Sequence, residues 1–238
     1  MASSLPSSQL LLLASLIFFT FSDNLVLASS EDDKVNLNLY YESLCPYCQS
    51  FIAESLVKVF STDLYTITNL RLVPFGNAKI VSSNVVCQHG EDECYLNAIE
   101  ACAIHIWPDQ KEHFSFIRCV ESSPKVGDDP TAAWKACADK FGGSQQIQDC
   151  HDSGLSSQLI LGYANETNSL KPPHEYVPWV TVNNTPLYYD MENFVSQVCK
   201  AYKGTEIPLP KICSSSSIQP KPKQLSSTRQ ACFVGKAV

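Results

Sequence analysis

The chain has 238 residues, of which 45% are hydrophobic and 17% are charged. This length and composition are typical of a globular protein with one substantial core. Its 24 acidic and 17 basic residues give a formal net charge of -7, which argues against a nucleic-acid partner, because such a partner requires clustered Lys and Arg.

An apolar segment near the N-terminus indicates entry into the secretory pathway. Leu10–Phe21 is an almost unbroken apolar run, and a small-residue cleavage site follows at Val26-Leu27-Ala28. The run is short for a membrane span and predicts a signal peptide over residues 1–28, with an uncleaved signal anchor as the alternative. No later stretch approaches the roughly 18 consecutive apolar residues of a membrane helix. We therefore expect no membrane contact after the signal is removed.

The next predicted elements form a βαβ unit around a Cys-X-X-Cys motif. Val35–Tyr41 alternates in the manner of a strand and leads directly into Cys45-Pro46-Tyr47-Cys48. Apolar residues then recur at the spacing of an amphipathic helix. Leu70–Phe75 predicts the second strand. The sequence therefore places the two cysteines between a strand and a helix.

The central part of the chain, about residues 81–170, carries mainly helical signals. We expect helices over Glu91–Trp107, Thr131–Phe141 and Leu155–Tyr163.

The last part of the chain returns to strand signals. Val177–Val182 predicts a strand, Asn183-Asn184 a turn, and Leu187–Tyr189 a returning strand. A helix is expected to follow from Phe194. Residues 214–238 are rich in Ser, Pro and Lys and predict a disordered tail, so the folded domain is expected to span residues 29–213.

The Cys45–Cys48 pair has the arrangement of a redox-active dithiol. Disulfide exchange requires a thiolate, and the unpaired N–H groups and dipole at a helix N-terminus favour that form at Cys45. Pro46 suits the first helical position, where no amide hydrogen is needed. Cys48, about one turn further along, could attack a mixed disulfide formed on Cys45. Half of a zinc site and an inert structural disulfide are the alternative interpretations.

A second motif, Cys87–Cys102, has the pattern C-Q-H-G-x2-E-C-x2-N-x4-C. Together with the upstream Cys-X-X-Cys, it resembles the signature of the gamma-interferon-inducible lysosomal thiol reductase (GILT) family, with every fixed position present. The resemblance extends from about Val35 to Cys213. It implies an α/β, thioredoxin-like fold with a helical, disulfide-bonded insertion. It also implies an enzyme without a cofactor that reduces protein disulfides in lysosomes or vacuoles, or after secretion, often at acid pH.

The resemblance also implies roles for individual residues. Cys45 matches the nucleophile and Cys48 the resolving cysteine. Val177 and Pro178 stand where proteins with the thioredoxin fold carry a substrate-contacting cis-proline opposite the cysteine pair. The implied partners are disulfide-containing proteins or peptides, with a small-thiol or protein electron donor.

The net direction of the reaction is open at this stage. The dipeptide Pro46-Tyr47 is also the one that glutaredoxins carry, and the residues between the two cysteines strongly affect the reduction potential. A secretory-pathway disulfide oxidase or isomerase of the DsbA or protein disulfide isomerase type is therefore one alternative function. A non-catalytic thioredoxin-like binding module is the other.

Eleven cysteines in a secreted chain predict structural disulfides. With Cys45 and Cys48 set aside, nine remain, and we expect Cys232 in the tail to be the odd one out. The other eight are expected to form four bridges, among Cys87, Cys94, Cys102, Cys119, Cys137, Cys150, Cys199 and Cys213. Of the possible pairs, Cys199–Cys213 would join the last helix to the segment after it.

One pairing is excluded by the predicted helix. Eight residues of helix separate Cys94 from Cys102 by about 12 Å, beyond the roughly 7 Å between Cα atoms that a disulfide permits.

A zinc site made of Cys87, His89, Cys94 and Cys102 is an alternative use of the second motif. An oxidising compartment disfavours it, so no metal is expected. His89 could act as a base, although a local hydrogen bond is the simpler interpretation.

Two sequons predict N-glycosylation, at Asn165 and Asn183.

Overall fold

The structure is a computed structural model that describes residues 33–205, 207–214 and 231–235. The predicted signal peptide, residues 1–28, lies outside the described residues. Within the described ranges, none of the helices has the length and apolar character needed to cross a membrane.

A four-stranded sheet forms the centre of the fold, with the strand order β2-β1-β6-β7. The first two strands are parallel and the other two pair antiparallel. The ranges are β1 (Val35–Tyr41), β2 (Thr68–Pro74), β6 (Trp179–Val182) and β7 (Thr185–Pro186). Six of the seven β1 residues are buried, because β1 lies inside the sheet and both of its faces are covered.

The crossover between β1 and β2 is helical, as the apolar spacing predicts. Its parts are α1 (Pro46–Ser50), a π-helical stretch (Phe51–Leu56), α2 (Lys58–Ser61) and a 3-10 turn (Asp63–Thr66). Val57 keeps right-handed helical angles between the π-helical stretch and α2. The Cys-X-X-Cys motif therefore sits at the start of the helix in a βαβ unit.

The insertion after β2 is mostly helical. The structure contains the three expected helices and adds two more, together with a short hairpin. The ranges are β3 (Lys79–Val81), β4 (Asn84–Val86), α3 (Glu91–Ile106), α4 (Gln110–Glu121), α5 (Pro130–Phe141), α6 (Ser144–Asp152) and α7 (Leu155–Asn168). The start of α4 is fixed by Asp109, whose carboxylate accepts from the amides of Lys111 and Glu112.

After the insertion come β5 (Tyr176–Val177), β6, β7, a 3-10 helix (Tyr188–Asn193), α8 (Phe194–Ala201) and α9 (Lys211–Ser214). The expected returning strand at Leu187–Tyr189 is wrong. The strand that pairs with β6 is Thr185–Pro186, and it ends early because Tyr188 adopts a positive φ of 49°.

The expectation of a disordered tail is wrong for residues 231–235. Cys232–Phe233 forms a further strand, β8, which pairs antiparallel with β5. Cys232-Phe233-Val234 is a short apolar run in a polar tail, and burial against a free strand edge stabilises it. Residues 215–230 and 236–238 lie outside the described residues.

Four disulfides join the eight cysteines assigned to structural bridges. The pairs are Cys87–Cys94, Cys102–Cys150, Cys119–Cys137 and Cys199–Cys213. Cys94 and Cys102 both lie on α3 and each bonds a cysteine outside that helix. The alternative zinc site has no thiolates to offer, because its three cysteines are all used in disulfides.

We predict that the bridges differ in their contribution to stability. Cys102–Cys150 spans 48 residues of sequence, whereas Cys87–Cys94 spans 7. Because a longer loop restricts the unfolded chain more, Cys102→Ala/Cys150→Ala should cost about 4 kcal/mol and Cys87→Ala/Cys94→Ala about 2.5 kcal/mol. Denaturant unfolding of the two double variants measures this. Equal losses would contradict the loop-entropy argument.

Candidate active site

Cys45 lies at the junction of β1 and α1. It occupies the N-cap position of the helix with extended angles (φ -74°, ψ 115°), and Pro46 is the first helical residue. The backbone N–H of Gln49 donates to the Cys45 carbonyl at 3.0 Å, which begins the helical ladder. Cys45 therefore lies at the helix end whose unpaired N–H groups and positive dipole favour a thiolate, although no backbone amide donates a hydrogen bond to its side chain in this structure.

The sulfur of Cys45 is bonded to Cys232, with 6.4 Å between the two Cα atoms. This corrects the expectation that Cys232 has no internal partner. Cys48 is the free cysteine of the described residues, and it is fully buried. The structure therefore places two sulfurs at the start of α1, as the motif predicts, and adds a third from the C-terminus.

Val177 and Pro178 lie beside the Cys45–Cys232 bridge. The peptide bond between them is cis, and Val177 pairs with Cys232 across the β5–β8 ladder. The strand that ends at this proline is therefore next to the Cys45–Cys232 bridge.

A buried carboxyl, Glu42, lies beside these sulfurs. One of its oxygens is within 4.8 Å of the sulfurs of both Cys45 and Cys232. The Asn77 backbone N–H donates to Glu42 Oε2 at 2.7 Å. Gly76 has a positive φ of 57°, and a Cβ at that position would overlap the Glu42 side chain. The turn at Gly76-Asn77 is therefore shaped around this carboxyl.

The second motif supplies the other neighbours of Glu42. His89 Nδ1 lies 3.6 Å from Glu42 Oε1 and 2.8 Å from Glu93 Oε2. The His89 backbone N–H also donates to Glu93, at 2.6 Å. Burial is the main cause that raises the pKa of Glu42, to about 8, and the nearby Glu93 raises it further. Glu42 is therefore a neutral acid at mildly acidic pH.

Burial also raises the pKa of the Cys48 thiol well above its usual range, and Glu42 contributes in the same direction. A hydrogen bond with the Glu42 backbone acts in the opposite direction. Cys48 is therefore a thiol at neutral pH, whereas Cys45 sits where a thiolate is favoured.

Two further buried carboxyls, Glu100 and Glu121, lie against each other behind the motif. The Tyr41 hydroxyl donates to Glu100 at 2.6 Å. Burial and the neighbouring Glu121 raise the pKa of Glu100 well above its usual range. The pKa of Glu121 rises to about 6, mainly through burial, although contacts with Glu100, Ser43 and Gln49 oppose the rise. The pair therefore holds a proton at neutral pH.

The fixed positions of the second motif support the active-site loop. Asn97 Oδ1 accepts from the Ser43 backbone N–H at 2.9 Å, two residues before Cys45. The Cys87–Cys94 bridge closes the loop that carries Gln88 and His89. His89 thus makes the local hydrogen bond expected of it, and it also faces Glu42.

A comparison with family models matches residues 36–141 to the gamma interferon inducible lysosomal thiol reductase (GILT) family. The chain is 50% identical over 234 residues to the gamma-interferon-responsive lysosomal thiol protein of Arabidopsis thaliana, covering 97% of this chain and 96% of that one. It is 39% identical over 198 residues to the gamma-interferon-inducible lysosomal thiol reductase of Mus musculus, covering 79% of this chain and 75% of that one. This chain belongs to the GILT family.

The family resemblance drawn from the second motif is thereby confirmed, and the protein is a thiol–disulfide oxidoreductase. The crystal structure of Chlamydia trachomatis DsbA has a similar fold, with a TM-score of 0.53 and 14% identity. The match covers 69% of this chain and 86% of that one. The expected thioredoxin-like fold is therefore confirmed as well.

Sequence reasoning missed several residues of this GILT site. Glu42 had a detectable signal, since it is an acidic residue at the end of an apolar strand that leads into the cysteines. Asn77 had none, because its role depends on the turn at Gly76. Of the sequon residues, Asn165 is exposed on α7, and Asn183 is exposed in the β6–β7 turn, where its Oδ1 accepts from the Asn36 N–H.

We predict that Glu42 makes stability depend on pH. Its pKa rises from 4.5 in the unfolded chain to about 8 in the folded protein, so the folded state binds more protons between these values. The stabilisation is complete below about pH 4.5 and is lost as the pH rises through about 8.

In wild type, Glu42 should lower the free energy of unfolding by up to about 1.4 kcal/mol for each pH unit gained in this window. Glu42→Gln should lack this contribution, so its stability should fall less steeply with pH. Denaturant unfolding between pH 4 and pH 9 measures the slope. Glu54→Gln, at an exposed position on the π-helical stretch, is the control and should leave the slope unchanged. An unchanged slope in Glu42→Gln would contradict the raised pKa.

Proposed function

We propose that this GILT-family enzyme reduces protein disulfides with Cys45 as the nucleophile and Cys48 as the resolving thiol. One observation carries the proposal: the Cys45 sulfur at the helix N-terminus already holds a disulfide with a peptide strand, beside the cis-proline. This arrangement is that of an enzyme–substrate mixed disulfide.

The reaction proceeds by two thiol–disulfide exchanges. The Cys45 thiolate attacks one sulfur of the substrate disulfide, the substrate S–S bond breaks, and the first substrate thiolate leaves with a proton from the neutral Glu42 carboxyl, which solvent then reprotonates. Cys48 then loses its proton and attacks the Cys45 sulfur, which releases the second substrate thiolate, and that thiolate takes up the proton lost by Cys48. The substrate has gained two electrons, and the enzyme holds a Cys45–Cys48 disulfide. A small thiol or a reduced protein donor returns the two electrons.

Glu42 has two effects in this scheme. Its neutral carboxyl, within 4.8 Å of the Cys45 sulfur, can donate a proton to the thiolate that leaves. Below its pKa of about 8 it is also uncharged, and so it does not repel the Cys45 thiolate. Both effects favour catalysis below about pH 8.

The proposed compartment is a lysosome or vacuole, or the extracellular space, reached through the signal peptide at residues 1–28. Five disulfides in the described residues support an oxidising route of synthesis. Three buried carboxyls with raised pKa values (Glu42, Glu100 and Glu121) support a working environment below neutral pH, because each is stable when protonated. Asn165 and Asn183 are the proposed glycosylation sites.

The test is the reduction of insulin by the purified chain, treated beforehand with just enough dithiol to reduce the Cys45–Cys232 bond and leave the four structural bridges intact, with a small dithiol as electron donor at pH 5 and pH 7. Cys45→Ser should lower the rate by about three orders of magnitude or more, because the nucleophile is lost. Ser50→Ala, at an exposed position of α1, is the control and should retain full activity. Full activity in Cys45→Ser would overturn the assignment of the nucleophile.

The direction of the reaction is measured separately. The reduction potential of the Cys45–Cys48 couple follows from equilibration with a glutathione buffer. A value near the approximately -270 mV of thioredoxin supports a reductase, whereas one near the approximately -120 mV of DsbA would support an oxidase.

A further inference from the structure

We propose that the edge of β5 is a docking site for a cysteine-containing polypeptide strand, and that the C-terminal segment Ala231–Gly235 occupies it as a covalently attached substrate mimic. The proposal rests on the proposed role of Cys45 and names what its site recognises. The occupant is part of this chain, and substrate polypeptides would replace it.

The first observation is the strand pairing. β8 pairs antiparallel with β5, with Cys232 opposite Val177 and Phe233 opposite Tyr176. The Val234 N–H donates to the Glu175 carbonyl at 3.1 Å, which extends the ladder by one more bond. These bonds involve only the backbone of the segment, so the edge of β5 can accept any extended polypeptide.

The second observation is a pair of side-chain amides on the other side of the segment. Asn77 Nδ2 donates to the Cys232 carbonyl at 2.9 Å. Gln88 Nε2 donates to the Phe233 carbonyl at 3.2 Å. Asn77 Nδ2 also donates to Gln88 Oε1 at 2.6 Å, which orients the second amide. The Gln of the second motif therefore binds the backbone of the strand that pairs with β5.

The third observation concerns the residue after the cysteine. The Phe233 ring packs edge-on against Tyr176, with 5.7 Å between centroids, and Tyr176 stacks on Tyr189 at 5.4 Å. Aromatic pairs of this geometry are favourable beyond the area they bury. The site therefore prefers a strand in which the cysteine is followed by an aromatic or bulky apolar residue.

The Cys45–Cys232 disulfide holds the segment against β5 until thiol–disulfide exchange breaks it. Cys48 can attack the Cys45 sulfur, which breaks the Cys45–Cys232 bond and releases Cys232 as a thiolate that takes up the proton lost by Cys48. A small dithiol then reduces the resulting Cys45–Cys48 bond with two electrons and becomes a disulfide itself. Because Cys48 is buried and its pKa is raised, this release is slow. Substrate cannot react with Cys45 until the Cys45–Cys232 bond is broken.

The first experiment compares unreduced wild type with unreduced Cys232→Ala in insulin reduction driven by a small dithiol. Wild type should show a lag that disappears after prior reduction, and Cys232→Ala should show none. If about one wild-type molecule in ten lacks the Cys45–Cys232 bond at the start of the assay, the initial rate of Cys232→Ala is about tenfold higher than that of wild type. Val234→Ala, at an exposed neighbouring position, is the control and should keep the lag.

Peptide mapping of the unreduced chain by mass spectrometry accompanies this assay. A linked pair of peptides containing Cys45 and Cys232 is expected. Identical progress curves for wild type and Cys232→Ala, or a Cys45–Cys48 bond with free Cys232, would overturn the substrate mimic. Those results would leave the proposed function intact if the pre-reduced chain is active. Inactivity of the pre-reduced chain, with the Cys45–Cys232 bond mapped, would instead overturn the proposed function.

The second experiment tests the docking site in the Cys232→Ala background. Gln88→Ala should raise KM for insulin by about threefold to tenfold, the effect of one lost hydrogen bond, with little change in kcat. Reduction of 5,5′-dithiobis(2-nitrobenzoic acid), a disulfide without a peptide backbone, should be unaffected. Equal losses on both substrates would show a purely structural role for Gln88 and overturn its assignment as a backbone contact.

A pair of cysteine peptides tests the preference for the following residue. A disulfide-linked peptide with Cys-Phe should have a lower KM than the matched peptide with Cys-Ser, and Tyr176→Ala should abolish the difference. The same KM for the two peptides in the Cys232→Ala enzyme would contradict the aromatic contact.

Discussion

The active site depends on how a carboxyl group is accommodated in the core without a permanent positive partner. Glu42 has no Lys or Arg within salt-bridge distance among the described residues. It is held by the amide of Asn77 and faces His89 and Glu93. Its charge is therefore costly and its protonated form is stable. The Gly76 turn and the second motif together enclose this one group.

A second constraint, the burial of the loop between β1 and Cys45, explains why two motifs distant in sequence form one site. β1 ends at Tyr41 in the middle of the sheet, so the loop to Cys45 is buried and its backbone groups need partners. Asn97 supplies one of them to Ser43. α3 must therefore lie directly over the loop, and the Cys102–Cys150 bridge ties that helix to α6. The helical insertion is in this sense part of the active site.

The βαβ unit, the cysteine pair and the helices of the insertion could be predicted from sequence because each carries a local pattern. The apolar period of Val35–Tyr41 and the Pro46 start of α1 are examples. The long-range partners of residues and strands could not be predicted from sequence. Nothing local to Cys232 indicates that its strand returns to Val177, since a two-residue strand has no periodicity of its own. The polar helix α6 (Ser144–Asp152) was also hidden, because it buries only Ile147 and Cys150.

The Cys45–Cys232 bridge also has a consequence for the newly synthesised enzyme, before it meets its substrates. Newly made secreted proteins depend on an environment in which cysteines are being joined, and a free reductase among them would undo that process. A chain whose reactive sulfur is already bonded to its own C-terminus has no electrons to give at that atom. On the proposed secretory route, such a chain would not reduce the proteins that fold around it until a thiol breaks the Cys45–Cys232 bond.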